Sequence, residues 1–428
     1  MRCDEILSPA LAAWEINTEC NHKCIYCYNY RCVSNKQKTY SEEKMNQISD
    51  FIICHKPLAV FISGGEPLLL YPLLAKQIEK FERAGIFVSI YTNASLVDED
   101  IARFLGEMKV RVMISFPSVN EKEFAQTVSS SATYNNVIAG LKLLKKHNVR
   151  IEPNIVVTKI NCSSVEDTIK YLQQEFSPRK IFISRATRPS NADTEFSNIS
   201  LSRAELNDIF DRCAKLSLKH GIDMGTCGGF APCTFNETET RQIFAKLCSF
   251  GINGYAVTAD GDVKICVRED KSYGNIFLDS FETIRSNMCE WLNMPIPREC
   301  RGCGYFEKCR GGCKLAAKNE EPGLAYMDCD ACAETGKEIR LPVRKKEKYL
   351  LKDSFSVKPI VFVEEKHITR ASVGLKYLYL NKKTAKFLKS TTTFSVTDLC
   401  FHCKIGYRQA CTLIGNLLAC GMVQENEN

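Results

Sequence analysis

Three cysteines, Cys20, Cys24 and Cys27, stand in the run Cys-Asn-His-Lys-Cys-Ile-Tyr-Cys, directly after the apolar stretch Leu11–Ile16. Three thiolates on one loop can hold three irons of a cubane cluster and leave the fourth iron without a protein ligand. Four-cysteine sets are the rule for electron-transfer clusters. A three-cysteine set therefore implies an open iron and a small molecule bound there. A zinc site fits less well, because zinc prefers closed four-ligand sets. His22 lies between Cys20 and Cys24, where the loop would have to fold sharply for it to share their metal. A disulfide framework is also disfavoured. The 23 cysteines are odd in number, and Met1-Arg-Cys-Asp-Glu opens with charges instead of an apolar signal. A cytoplasmic location with metal or redox use of cysteine is the expectation.

A second group of polar residues recurs at the ends of apolar runs. Ser63-Gly64-Gly65-Glu66-Pro67 follows one run; its glycines let the backbone approach a ligand closely, and Glu66 brings a carboxylate. Thr92-Asn93-Ala94, Ser115 and Ser184-Arg185-Ala186-Thr187-Arg188 follow others. Taken singly, each could be a plain turn or loop cap.

Their placement depends on the elements between them. Runs resembling buried strands span Leu11–Ile16, Leu58–Ser63, Phe87–Tyr91, Val110–Ser115, Ile151–Val157 and Lys180–Ser184. Amphipathic helical stretches span Glu42–Cys54, Leu70–Ala84, Asp98–Met108, Ala132–His147, Val165–Phe176 and Ser202–His220. Six βα units in succession argue for a parallel sheet wrapped by helices, closed as a barrel or open and doubly wound. In either case the site lies at the C-terminal ends of the strands, where the cysteine loop sits after the first of them.

The Cys20/Cys24/Cys27 spacing resembles the signature of the radical S-adenosylmethionine (radical SAM) superfamily, and Gly64-Gly65-Glu66-Pro67 resembles its GGEP motif. The resemblance implies an α/β fold built as a partial (β/α)6 TIM-like barrel. It implies a [4Fe-4S] cluster whose open iron is chelated by the amino and carboxylate groups of SAM. It assigns SAM contacts to Tyr26, Gly64, Gly65, Glu66, Pro67, Thr92, Asn93 and Ser115. The chain departs from the family at Ser115-Phe116-Pro117-Ser118, where relatives commonly read Ser-Leu-Asp-Gly. The family's downstream arginine is also missing between Phe124 and Leu141. Arg185 or Arg188 is then the expected partner of the SAM carboxylate, since a guanidinium matches a carboxylate fork to fork.

A second cysteine block follows: Cys248, Gly261, Cys266, then Cys300-x2-Cys303-x5-Cys309-x3-Cys313, then Cys329. Tyr255–Cys266 reads as a β-hairpin with a tight Asp-Gly turn. This order resembles the SPASM extension of radical SAM proteins and implies two auxiliary [4Fe-4S] clusters. By family logic Cys300, Cys303, Cys309 and Cys329 hold one, with Cys332 as an alternative to Cys329. Cys248, Cys266 and Cys313 hold the other, which Cys227, Cys233 or the substrate would complete. A pair of zinc ribbons is the alternative that Cys-x2-Cys alone permits. Of the other cysteines, Cys54, Cys162 and Cys213 read as small core residues, as do Cys411 and Cys420.

The 428 residues suggest two or three domains: 1–221 as the barrel, 222–336 as the iron-sulfur domain and 337–428 as an α+β module. The module shows strand-like runs Lys358–Val363 and Leu375–Leu380, then helical pieces at Asn381–Leu388, Thr397–Cys403 and Tyr407–Cys420 with Gly421 as C-cap. It resembles the winged-helix peptide-recognition element found beside peptide-modifying enzymes, which binds a leader peptide as an added edge strand. A net charge of +7 is mild, so nucleic acid is not an expected partner. No apolar run reaches membrane-span length.

The expected activity is radical modification of a ribosomally made precursor peptide. A ferredoxin or flavodoxin would supply the electron. SAM would be cleaved to methionine and a 5′-deoxyadenosyl radical, and a cysteine sulfur would then couple to a peptide carbon as a thioether. A carbon–carbon crosslink and sulfatase-maturase-like formylglycine formation are the alternatives.

Overall fold

The apolar runs become strands because Val, Ile, Phe and Ala fill both faces of a parallel sheet. In chain order these are β1 (Leu11–Glu15), β2 (Ala59–Ser63), β3 (Phe87–Thr92), β4 (Arg111–Ser115), β5 (Arg150–Val157) and β6 (Ile181–Arg185). Each pairs parallel to the next, with Leu11 opposite Ala59 and Glu15 opposite Ser63 at the first pair. The crossovers are α1 (Glu42–Cys54), α2 (Tyr71–Arg83), α3 (Glu99–Glu107), α4 (Glu121–Val128), α5 (Tyr134–Lys146) and α6 (Val165–Phe176). After β6 come α7 (Phe196–Ile199), α8 (Arg203–His220) and the short strand β7 (Met224–Gly225). This is a partial (β/α)6 barrel. The computed structural model describes residues 9–29, 41–129, 133–187 and 196–292 apart from 247, 249, 252 and 253, then single positions between 300 and 315, and most of 355–426.

Local signals set the helix ends. Ser41, Asp98 and Asn120 each accept a backbone N–H at the start of α1, α3 and α4. Ser202 and Glu205 form a reciprocal capping box on α8, and Gly221 closes it at φ 64°. Each such cap contributes about 1 kcal/mol. Trp14 of β1 is fully buried and meets Phe81 of α2 edge to face.

The cysteine-rich part is built onto the barrel's own sheet. After α9 (Thr238–Phe244), β8 (Gly254–Thr258) pairs parallel to β1, and β9 (Val263–Lys264) pairs antiparallel to β8. The sheet order is β7-β6-β5-β4-β3-β2-β1-β8-β9. An incomplete barrel leaves one edge of β1 open, and an open edge must be paired or covered; β8 does this. Gly261 makes the expected Asp-Gly turn at φ 86°. Lys264 and Glu15, both nearly inaccessible, form an ion pair at 3.2 Å across these strands. Helix α10 (Phe281–Leu292) follows.

Met1–Pro342 and Val343–Asn428 are two compact units. The second is α+β. It has one antiparallel sheet of β11 (Val361–Glu364), β12 (Ile368–Val373) and β13 (Lys376–Asn381), and another in which β10 (Phe355–Val357) lies between β14 (Thr393–Phe394) and β15 (Val423–Glu425). Its helices α11 (Lys382–Ser390) and α12 (Val396–Cys403) pack around Leu399, Ile414 and Leu417. Helical backbone recurs at Ala410, Leu413, Ile414 and 416–418. Gly421, Cys411 and the basic run near residue 344 lie outside the described residues.

Several features differ from the sequence expectation. Helix α4 was not anticipated, because Phe124 and Val128 alone carry its buried face beside Thr127. Strands β10 and β12 were missed, since Ser and Thr interrupt their apolar pattern. Cys54 is exposed instead of buried; it falls outside the Met45/Ile48/Ile52 face of α1, with its sulfur 3.3 Å from His55 Nδ1.

Candidate functional site

The ends of β1, β2 and β3 form one knot around the first cysteine loop. Beyond β1, Asn17 receives Gly65 N–H on both its backbone and side-chain oxygens, at 3.1 and 3.0 Å. It returns a bond from Nδ2 to the Glu66 carbonyl at 2.8 Å. Glu66 N–H donates to the Glu19 carbonyl at 2.7 Å. The glycines are needed because the chain itself comes close. A Cβ on Gly65 would stand 1.8 Å from Glu19 O, and one on Gly64, at φ +136°, 2.4 Å from Asn17 O. The close approach thus brings the residues before Cys20 onto the β2 turn.

The Glu66 carboxylate is buried and joins three segments. Oε1 accepts from Leu68 N–H at 3.0 Å and from Thr92 Oγ1 at 2.7 Å; Oε2 accepts from Asn93 N–H at 2.8 Å. A carboxylate has about four lone-pair positions, so Oε2 retains capacity for one further donor, such as an ammonium. Burial raises its pKa, and the three donors pull it back. Pro67 opens the 3-10 turn that Glu66 caps. Glu66→Gln places an NH2 against one of these N–H groups and strands a buried donor. A stability loss of about 2 kcal/mol is expected, measured by urea unfolding; an unchanged midpoint would show the node to be dispensable.

Asn93 extends the knot. Its Nδ2 donates to Asn21 Oδ1 at 2.8 Å, Asn21 donates to Ser95 Oγ at 2.9 Å, and Asn93 also reaches Cys20. From the other side α4 clamps the loop. Lys23 N–H donates to the Val128 carbonyl at 3.2 Å and Ile25 N–H to the Thr127 carbonyl at 3.0 Å. Asn17, Asn21, Ser95 and α4 were not singled out from sequence. Only the Asn in the cysteine run could have hinted at them.

Inside this frame Cys20, Cys24 and Cys27 lie within electrostatic reach of one another. The His22 amide points at Cys20 Sγ, 3.4 Å away, and Cys27 N–H closes a turn on the Cys24 carbonyl at 3.0 Å. Burial pushes the Cys20 thiol up to about 11 and raises Cys24 further, each also feeling its neighbours. Three convergent thiols that resist ionisation on their own suit a cationic centre, which deprotonates its ligands. Among the described residues no three His, Cys, Asp or Glu side chains close on a single ion. A cubane's ligands stand at its corners, further apart than those of one zinc. The residues fit the cluster. Tyr26 lies between Cys24 and Ser115, its hydroxyl kept protonated by burial.

Arg185 is buried at the end of β6 with its guanidinium over the Phe230 ring, 4.6 Å from the centroid. Ser184 donates to Asn154 Oδ1 at 2.7 Å. Arg188 lies outside the described residues.

The second cysteine set also gathers. Cys248, Cys266 and Cys313 act electrostatically on one another. Burial pushes Cys266 up to about 12, while Arg268 beside it pulls the other way. Arg268 also faces Cys248 and Cys227 and donates to Thr187 Oγ1 at 2.8 Å. It links this set to the loop after β6, and sequence reasoning missed it. Cys303 N–H closes on the Cys300 carbonyl at 3.1 Å. The amides of Gly311 and Gly312, both at positive φ, point at Cys309, whose thiol burial pushes up to about 11. Amides aimed at sulfur are the outer-shell support that cluster thiolates require. Cys329 and Cys332 lie outside the described residues.

The Radical SAM superfamily model matches residues 14–172. Residues 14–172 are a radical SAM domain. The match runs from the end of β1 through most of α6 and so includes every loop of the knot. This radical SAM chain is 23% identical over 344 residues to a cysteine-type anaerobic sulfatase-maturating enzyme of Clostridium novyi, covering 72% of this chain and 87% of the relative. It is 24% identical to the radical SAM cyclopropyl synthase TigE of Paramaledivibacter caminithermalis, covering 74% and 70%. Among solved structures, anSMEcpe with bound AdoMet superposes with a TM-score of 0.60 at 22% identity, covering 75% of this chain and 90% of that one. SuiB of Streptococcus suis bound to S-adenosylmethionine gives 0.63 at 16%, covering 77% and 78%. The cysteine-rich part that follows this domain has the Cys248, Cys266, Cys300, Cys303, Cys309 and Cys313 spacing of a SPASM-type extension. The chain's cofactors are SAM, the [4Fe-4S] cluster that binds it, and auxiliary [4Fe-4S] clusters.

Proposed function

We propose that this enzyme matures a ribosomally made precursor peptide by joining a cysteine sulfur to a peptide carbon. The observation that carries the reading is the Cys248/Cys266/Cys313 set with Arg268 at its side. Three thiolates would hold an auxiliary cluster and leave a position for a substrate sulfur. SAM and its cluster, when bound, supply the 5′-deoxyadenosyl radical that takes a hydrogen from the peptide. The chain's own part is to hold and shield. Cys20, Cys24 and Cys27 would ligate the first cluster, the spare capacity of Glu66 Oε2 suits the SAM ammonium, and Tyr26, Thr92, Asn93 and Ser115 stand around the same loop. Arg185 would meet the SAM carboxylate only by leaving the Phe230 face.

Peptide substrates are supported by the relatives: SuiB is solved bound to the precursor peptide SuiA, and anSMEcpe with the peptide Cp18Cys. The Val343–Asn428 unit would bind the leader segment along an edge of its β11-β12-β13 sheet. A ferredoxin or flavodoxin would donate the electron, in the cytoplasm. Among the described residues no helix is long and apolar enough to cross a membrane. Sulfatase-type maturation, turning a cysteine into formylglycine, is the second reading, favoured by the sulfatase-maturating relatives.

The test is co-expression with a short cysteine-containing peptide encoded beside the enzyme. The expected product has lost two hydrogens and one alkylatable cysteine. An aldehyde that reacts with hydrazide would favour formylglycine, and an alkylatable cysteine in a dehydrogenated product would favour a carbon–carbon link. Deleting 343–428 is expected to preserve 5′-deoxyadenosine formation while removing micromolar leader affinity, about 8 kcal/mol, as read by calorimetry. Equal affinity without the unit would remove it from peptide recognition.

A further inference from the structure

Helix α11 gives one face to the core of its unit and the other to charge of a single sign. Thr384, Ala385, Phe387 and Leu388 are buried, and Phe387 meets Phe394 edge to face at 5.5 Å. Lys382, Lys383, Lys386 and Lys389 are all exposed. That face works against the helix that carries it. Lys382 and Lys383 occupy the first turn, where the backbone dipole favours carboxylates. Elsewhere the chain follows that preference: Glu42 and Glu43 open α1, Glu99 and Asp100 open α3. Lys386 stands four residues from Lys382 and three from Lys383, so like charges lie side by side.

No carboxylate relieves them. Among the described residues, Lys382, Lys383 and Lys386 make no ion pair and no hydrogen bond. Asp398 is the only carboxylate side chain described in the Val343–Asn428 unit. It is taken up at the start of α12, accepting from the Ser395 amide at 2.8 Å and hydroxyl at 2.7 Å. A local choice that opposes helix stability, with no compensating contact, marks a functional surface.

We propose that the lysine face of α11 docks an acidic segment of a peptide. Assigning that segment to the precursor rests on the maturation reading; its leader would then carry aspartates or glutamates. The topology sets where they act. Lys382 directly follows Asn381 at the end of β13, an edge strand in the β11-β12-β13 order. A peptide added along that edge brings one end to the lysines, so the strand holds its main chain and the helix its carboxylates. A membrane surface fits less well, because the apolar side of α11 is already buried. Nucleic acid also fits less well. Neither α11 nor α12 carries an arginine, whose planar fork matches phosphate and guanine.

The test is fluorescence anisotropy on the full-length enzyme, with a fluorescein-labelled oligoglutamate peptide as probe. Changing Lys382→Glu, Lys383→Glu and Lys386→Glu together is expected to weaken binding at least about tenfold at low salt. Wild-type affinity is expected to fall as salt is raised. Glutamates in the first turn suit the dipole, so thermal unfolding of this variant should show no loss of stability. Lys122→Glu, Lys142→Glu and Lys215→Glu, exposed on α4, α5 and α8, change the net charge equally and are expected to leave binding intact. Equal probe affinity in wild type and the α11 variant would overturn the proposal, as would an equal loss in the control variant. So would tighter binding of oligothymidylate, or of phosphatidylglycerol vesicles, through the same lysines. Oligoglutamate binding through α11 in an enzyme that leaves the co-expressed peptide unmodified would support the surface and count against the maturation reading alone.

Discussion

Replacing Cys20, Cys24 and Cys27 together by alanine is expected to abolish 5′-deoxyadenosine formation under reducing, anaerobic conditions. Each thiolate would be one of three protein ligands on a short loop, and the remaining contacts are amides and carbonyls that cannot bind iron in its place. A fall of at least about three orders of magnitude corresponds to roughly 4 kcal/mol of lost transition-state stabilisation. The effect should be separable from unfolding. The loop is also held by bonds that bypass the sulfurs: Lys23 and Ile25 to α4, and Glu66 N–H to Glu19. Far-ultraviolet circular dichroism should therefore stay close to wild type. Iron should fall by one cubane, with the auxiliary signals retained. Wild-type deoxyadenosine formation in the triple variant would remove the radical SAM loop from the chemistry.

The loop could be found from sequence because its chemistry is in its spacing. Three cysteines within eight residues have few structural uses. The strands were legible for a related reason: a parallel sheet buried on both faces needs continuous apolar runs, and these are local. What carries the loop was not local. Asn17 meets Gly65 from 48 positions away, Asn21 meets Asn93 from 72, and Lys264 meets Glu15 from 249. Such pairings have no periodicity to betray them. Helix α4 was hidden because its role lies in two free carbonyls at its C-terminal end, and backbone groups are invisible in a list of side chains. The β8–β9 hairpin was read correctly from its Asp-Gly turn. That it would add to the edge of β1 follows only once that edge is known to be open.

The second large effect is expected at a residue with no side chain. Gly65→Ala would place a methyl 1.8 Å from the Glu19 carbonyl oxygen and 2.3 Å from its carbon. The obstructing atoms are backbone, so no rotamer change relieves the clash. The β2 turn must move away from residues 17–19. That breaks the two bonds from Gly65 N–H to Asn17 and the bond from Glu66 N–H to Glu19. It also draws Glu66 from Thr92 and Asn93. A stability loss of about 3 kcal/mol is expected from overpacking of this kind. Because Glu19 directly precedes Cys20, the first cluster should be lost even in the fraction that folds. The comparison is Gly85→Ala. Gly85 lies in a turn at φ +71° with nothing within 4 Å of a built Cβ, so only backbone strain of about 1 kcal/mol applies, with iron and SAM cleavage intact. Denaturant midpoints, iron content and deoxyadenosine formation measured on both variants separate the two causes. If Gly65→Ala kept its iron and its turnover while losing stability no more than Gly85→Ala, the close packing of the β2 turn on residues 17–19 would not be what holds the cysteine loop in place.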